Sequence, residues 1–111
     1  MGSSSLIYHL ALANQWAEAV AAGTYTISTL GLDLSEVGFI HCSREEQVDG
    51  VYNGFYAGMT EPVLLLTIDT GLLTSPWQYD DVAGESFPHI YGPLDLAAVV
   101  AVEPFRPSAS T

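Results

Sequence analysis

The residues best able to do chemistry in this chain are three histidines that share one setting. They occur in Ile7-Tyr8-His9-Leu10, Phe39-Ile40-His41-Cys42 and Phe87-Pro88-His89-Ile90-Tyr91, each in or beside a short apolar, strand-like stretch. Imidazole titrates near neutral pH and serves as acid, base or hydrogen-bond partner. One histidine in such a stretch is as readily a core residue with satisfied ring nitrogens as a functional group. Three in the same setting shift that balance, because polar atoms at strand ends in apolar surroundings can converge on one pocket. Strand alternation puts Ile7, His9 and Ala11 on one face, and Phe39, His41 and Ser43 on one face of a second strand.

The start of the helix expected after His41 is a second candidate. Helix N-termini expose N–H groups and a partial positive charge, so they attract anions. Arg44 is one of only two cations in the chain. With Ser43 and the helix N-terminus it would form a small anion site beside His41; the plainer reading is that it pairs with nearby carboxylates. Three histidines and a water are a known zinc ligand set. Positions 9, 41 and 89 contain no closely spaced ligand pair, so no metal is expected. Cys42 alternates away from His41 and is expected in the core rather than as a nucleophile.

The elements that must position these groups are short. Residues 6–11 read as a strand. Residues 14–22 read as a helix, with Asn14 as N-cap and Gly23 as C-terminal stop. Residues 25–30 are a strand or an extended loop, and residues 38–42 a strand. Ser43-Arg44-Glu45-Glu46 fits a capping box. Val48, Val51, Tyr52, Phe55 and Tyr56 then give one apolar helix face, and Gly58 ends the helix. Gly50 and Gly54 share a side of that helix, which predicts close approach by another backbone. The run Val63-Leu64-Leu65-Leu66-Thr67-Ile68 predicts a central strand. Residues 70–86 read as a long loop, 87–91 are ambiguous, and 97–102 read as a final buried strand stopped by Pro104. Strands outweigh helices, which predicts an α+β domain with a small mixed or antiparallel sheet and two main helices.

Composition bounds the function. The 111 residues suit one domain, expected over 6–105, with residues 1–5 a disordered or vector-derived start and 106–111 a tail. A hydrophobic share of 49% supports a real core and excludes wholesale disorder. Two arginines against 13 acidic residues give a net charge of −11, which argues against nucleic acid and against an anionic membrane surface. The longest uncharged apolar run, residues 96–102, is far short of the roughly 18 residues of a membrane span. One cysteine and a start without basic residues point to the cytoplasm. The oligomeric state is not legible.

The strings Ile7-Tyr8-His9-Leu10, Gly38-Phe39-Ile40-His41-Cys42-Ser43, Gln47-Val48, Asn53-x-Phe55-Tyr56-x-Gly58, Leu64-Leu65-Leu66 and Phe87-Pro88-His89-Ile90-Tyr91-Gly92-Pro93-Leu94 together resemble domain-of-unknown-function family 952, a family of small bacterial proteins. That family resembles the ADP-ribosyltransferase fold. The resemblance implies an ADP-ribosyltransferase-like architecture, with NAD as a candidate substrate and no resident cofactor. His9 is similar to the transferase histidine that hydrogen-bonds the adenine-side ribose of NAD. His41 and Ser43 resemble the second motif, which lines the nicotinamide pocket. His89 falls near the third motif, where those transferases place a glutamate. Glu85, four residues before His89, is the nearest carboxylate, and its position departs from that pattern.

Three classes of function follow. The first is a transferase or glycohydrolase-like enzyme acting on NAD or a related ADP-ribosyl compound, with His9, His41, His89 and Glu85 as candidate catalytic residues. Ser43, Arg44, Gln47, Tyr56, Trp77 and Tyr91 would be its ligand-binding candidates, although core or rim packing is the simpler reading of the three aromatics. The second class is a non-catalytic module for a nucleotide-type small molecule, since losing a transition-state contact need not remove ground-state binding. The third is a structural protein with packed histidines.

Overall fold

The computed structural model describes residues 5–29 and 32–106. In chain order they form β1 (Leu6–Leu12), α1 (Ala13–Ala22), β2 (Thr24–Tyr25), β3 (Ile27–Thr29), β4 (Leu32–Asp33) and α2 (Leu34–Val37). Next come β5 (Ile40–His41), a 3-10 turn (Glu45–Gln47), α3 (Val48–Val51), a π-helical stretch (Tyr52–Tyr56) and β6 (Val63–Asp69). The chain closes with a 3-10 turn (Thr70–Leu72), β7 (Trp77–Val82), β8 (Glu85–Ile90), β9 (Leu94–Asp95), a 3-10 turn (Leu96–Ala98) and β10 (Val99–Pro104). The expectations for residues 1–4 and 107–111 lie outside the described residues. Ser5 is tied to Thr70 through its N–H, which donates to Thr70 Oγ1 at 3.0 Å.

The fold is α+β, and every strand pair among the described residues is antiparallel. The apolar run of β6 is central, as its composition requires: it pairs with β1 from Leu6↔Asp69 to Leu12↔Val63 and with β10 on its other edge. Alternation along β1 and β6 feeds two cores. Ile7, Ala11, Leu66 and Ile68 join Tyr25, Ile40, Cys42, Ile90 and Leu94 on one side. Leu10, Leu12 and Val63 join Val48 and Tyr56 on the other. At about 25 cal/mol per Å² of buried apolar surface, such two-sided burial is what holds a chain this small together.

Several expectations need correction. Residues 70–86 are not a loop: β7 and β8 form a hairpin whose turn, Ala83-Gly84, has positive φ at both residues (53° and 84°). That is the pattern of a tight hairpin turn, but alanine there hides its usual Asn-Gly or Asp-Gly signal. The capping box is shifted by one residue: Arg44, not Ser43, is the N-cap, and its N–H donates to Gln47 Oε1 at 2.8 Å. Ser43 is held earlier, in a two-way backbone bridge with Tyr8. Helix α1 starts at Ala13 without a side-chain cap, and Asn14 N–H instead donates to Glu61 Oε2 at 2.8 Å.

Gly50 and Gly54 meet no close backbone; a Cβ at either would find nothing within 4 Å. Phe55 leaves the expected apolar face and is 53% exposed, whereas Tyr56 is buried. The π-helical turn explains the exchange, because Ala57 N–H reaches Tyr52 O five residues back and rotates the register of the helix. The last strand, β10, is an exposed edge rather than a buried one, which suits its terminal Pro104.

Candidate functional site

A three-stranded sheet in the order β5-β8-β7 builds the site. Its register sets His41 opposite His89, and His89 opposite Gln78. Cross-strand partners share a face, and residues two apart repeat it, so Asp80 and Phe87 lie on that face too. The other face carries Ile40, Ile90 and Trp77 into the core. Phe39 stacks on the His89 ring at a centroid distance of 4.0 Å and 13° between planes.

The polar groups form a relay. Asp80 Oδ2 lies 2.8 Å from His89 Nδ1, and His89 Nε2 lies 3.1 Å from His41 Nδ1. An ionised carboxylate can only accept, so His89 Nδ1–H donates to Asp80. One proton bridges His89 Nε2 and His41 Nδ1, and where His41 Nδ1 holds it the lone pair of His41 Nε2 is free. Nε2 of His41 makes no hydrogen bond among the described residues. Hydrogen bonds from Tyr91 O–H and Gln78 Nε2 hold the Asp80 carboxyl below its ordinary range. Burial and the neighbouring His89 lower the His41 pKa to about 4, so its ring is uncharged at neutral pH.

His9 supports this relay from below. It is 3% exposed; its Nδ1–H donates to the His41 carbonyl at 2.6 Å, and its Nε2 accepts from Tyr25 O–H at 2.9 Å. Burial pushes the Tyr25 hydroxyl up, which keeps it a donor, and lowers His9 to about 4. Both His9 ring nitrogens are spent on structure. Ser28 Oγ, also buried, accepts from the His41 N–H at 3.2 Å. The backbone of His41 is thus clamped at both its N–H and its C=O.

A cavity of about 690 Å³ opens beside the relay, walled by Ser28, Phe39, His41, Gln47, Glu85 and Phe87, with Leu32, Phe55 and Val82 at exposed rim positions. Among the candidate residues, His41, Glu85 and Gln47 reach this cavity. Gln47 is buried and donates from Nε2 to Ser86 O at 2.9 Å and to Glu85 Oε2 at 3.2 Å.

The three imidazoles do not share one hollow: only His41 lines the cavity, while Phe39 stacks over the His89 ring and His9 is buried against the His41 carbonyl. Ser43, Arg44, Tyr56, Trp77 and Tyr91 do not line the cavity either. Arg44 pairs with Glu46 and donates from Nε to Ser86 O at 3.3 Å, so the anion site beside His41 is not formed. Tyr56 O–H donates to Leu10 O at 3.2 Å in the second core, Trp77 packs against the first, and Tyr91 anchors Asp80. Cys42 is fully buried, and burial pushes its thiol up. Among the described residues no group of three or more His, Cys, Asp or Glu is placed to hold a metal ion. No helix of these residues is long and apolar enough to cross a membrane.

Asp80, Gln78, Ser28 and Tyr25 escaped the sequence reading. The first two sat in the segment read as a loop, where the alternation Trp77-x-Tyr79 opposite Gln78-x-Asp80 was the available signal. Nothing local marks Ser28 or Tyr25.

The family model described as "Protein of unknown function (DUF952)" matches residues 10–102. Protein CC0527 from Caulobacter crescentus is similar in structure. Its X-ray structure is 28% identical with a TM-score of 0.77, over 90% of this chain and 85% of that one. Its solution NMR structure is also 28% identical, with a TM-score of 0.68, over 87% and 81%. No curated protein matches. With most of its length matched by that family model, and with the relay's His41 and His89 inside the matched span, the chain belongs to family DUF952.

Proposed function

We propose that the protein binds a nucleoside-type small molecule in the cavity beside His41 and acts on it as a transferase or glycohydrolase-like enzyme. The carrying observation is the Asp80–His89–His41 relay, which ends at an uncharged imidazole on the wall of a ligand-sized cavity. NAD and related ADP-ribosyl compounds are the substrates suggested by the resemblance to the ADP-ribosyltransferase fold.

In such a reaction the bond between the ribose C1′ and the nicotinamide nitrogen breaks. The electron pair goes to the ring nitrogen, which leaves neutral. An acceptor hydroxyl forms the new C1′–O bond, and its proton passes to His41 Nε2. Glu85, oriented by Gln47, is the carboxylate available to offset positive charge on the sugar. His9 and His89 are positioning residues here rather than catalytic ones, a revision of the roles expected for them.

Calorimetry with NAD, ADP-ribose and nicotinamide, paired with a nicotinamide-release assay, tests this reading. Turnover that His41→Asn abolishes, with ligand affinity kept within a few-fold, supports it. Absence of binding by all three at millimolar concentration overturns it. One observation favours a non-catalytic binding module instead: a pKa near 4 makes His41 a weak base at neutral pH. Binding without nicotinamide release selects that reading.

A further inference from the structure

The charge and shape of the cavity point to its occupant, and we infer that it holds a planar aromatic monocation with no phosphate inside the cavity. This deepens the proposed function and rests on the same cavity. Three phenylalanines, Phe39, Phe55 and Phe87, line it. Aromatic faces attract a flat cation by stacking and by the negative potential of the ring.

The charged lining side chains are Glu46 and Glu85, and no lysine or arginine lines the cavity among the described residues. Glu46 is paired with Arg44, which leaves one carboxylate, Glu85, held only by the neutral amide of Gln47. His41 adds no charge at neutral pH. The wall therefore carries a net charge of −1, which one positive charge on the ligand complements and a phosphate would oppose. His41 Nε2, which bonds no other described residue, accepts an N–H or O–H of the same ligand in the tautomer that keeps its proton on Nδ1. An anionic part of a larger ligand would have to lie beyond the rim formed by Leu32, Phe55 and Val82.

Three probes of nearly one shape separate charge from fit: nicotinate (anion), nicotinamide (neutral) and 1-methylnicotinamide (cation). Each is titrated into the protein at pH 7.5 and low salt, with the NMR signals of His41 and Phe87 as the readout. The expected order is cation over neutral over anion, with the cation favoured over the anion by about tenfold or more. Glu85 is exposed, and Glu85→Gln should fold normally while reducing the cation-to-neutral ratio towards one. Equal affinities, or a preference for nicotinate, overturn the charge inference and leave the His41 reading standing. Failure of all three to move those signals at ~10 mM, about the weakest affinity expected of fragments this small, overturns both.

Discussion

Lowering the pH from 7.5 to 4.5 will cost this protein much of its stability, and two imidazoles set how much. Burial lowers His9 to about 4; burial and the adjacent His89 lower His41 to about 4 as well. In the unfolded chain both rings titrate near 6.5. Between those values the unfolded state takes up protons that the folded state refuses, so unfolding becomes easier as the pH falls. The contribution is fully present above pH 6.5, is lost on the way down to 4, and changes no further below that.

A lowering of roughly 2.5 pH units corresponds to about 3 kcal/mol per ring, most of it already lost at pH 4.5. Both rings together give a loss on the order of 5 kcal/mol, a large part of the roughly 5–15 kcal/mol that stabilises a domain. Asp33 and Asp80 are held below their ordinary range by hydrogen bonds, so their share is lost only at lower pH. Urea titrations at several pH values, followed by Trp16 and Trp77 fluorescence, would measure the loss. An NMR titration of the imidazole protons would show whose protons are responsible. Flat stability from pH 7.5 to 4.5, or His9 and His41 both titrating between 6 and 7 in the folded protein, would refute the burial argument.

Two substitutions probe the same framework. Tyr25→Phe removes the hydroxyl that donates to His9 Nε2 at 2.9 Å and strands a buried acceptor; urea unfolding should show a loss of about 1–3 kcal/mol. At Gly92 a Cβ would sit 2.5 Å from Ser75 Oγ and 2.8 Å from Ser75 Cβ, and that hydroxyl is already committed to Pro93 O. Gly92→Ala should cost about 1–3 kcal/mol by the same assay, whereas Gly50→Ala, where a Cβ meets nothing, should not destabilise.

Local pattern was enough to read the chain where the physics is local. The apolar run of β6 announced a central strand, Gly23 stopped α1 in the left-handed conformation at φ 93°, and the α+β class followed from short strands outnumbering helices. The alternation Phe39-x-His41 likewise marked β5, one of the three strands that carry the relay, whereas residues 87–91 read as ambiguous. Misreadings arose where a local signal was absent or a distant contact overrode it. Ala83 in a turn that favours Asn or Asp concealed the hairpin, and with it Asp80. The π-helical turn moved Phe55 to the cavity rim, which no 3.6-residue count foretells.

Three similar histidine motifs gave no means of ranking His9, His41 and His89. Packing ranks them, because Phe39 covers the His89 ring, the His41 carbonyl and Tyr25 hydroxyl occupy both nitrogens of His9, and His41 is left on a wall. Residues 9, 25, 41, 80 and 89 meet only once three sheets have come together, and hydrogen bonds between such distant positions leave no periodicity in the chain to be read. Type and spacing could nominate imidazoles; which nitrogen stays bare is a property of the assembled sheets.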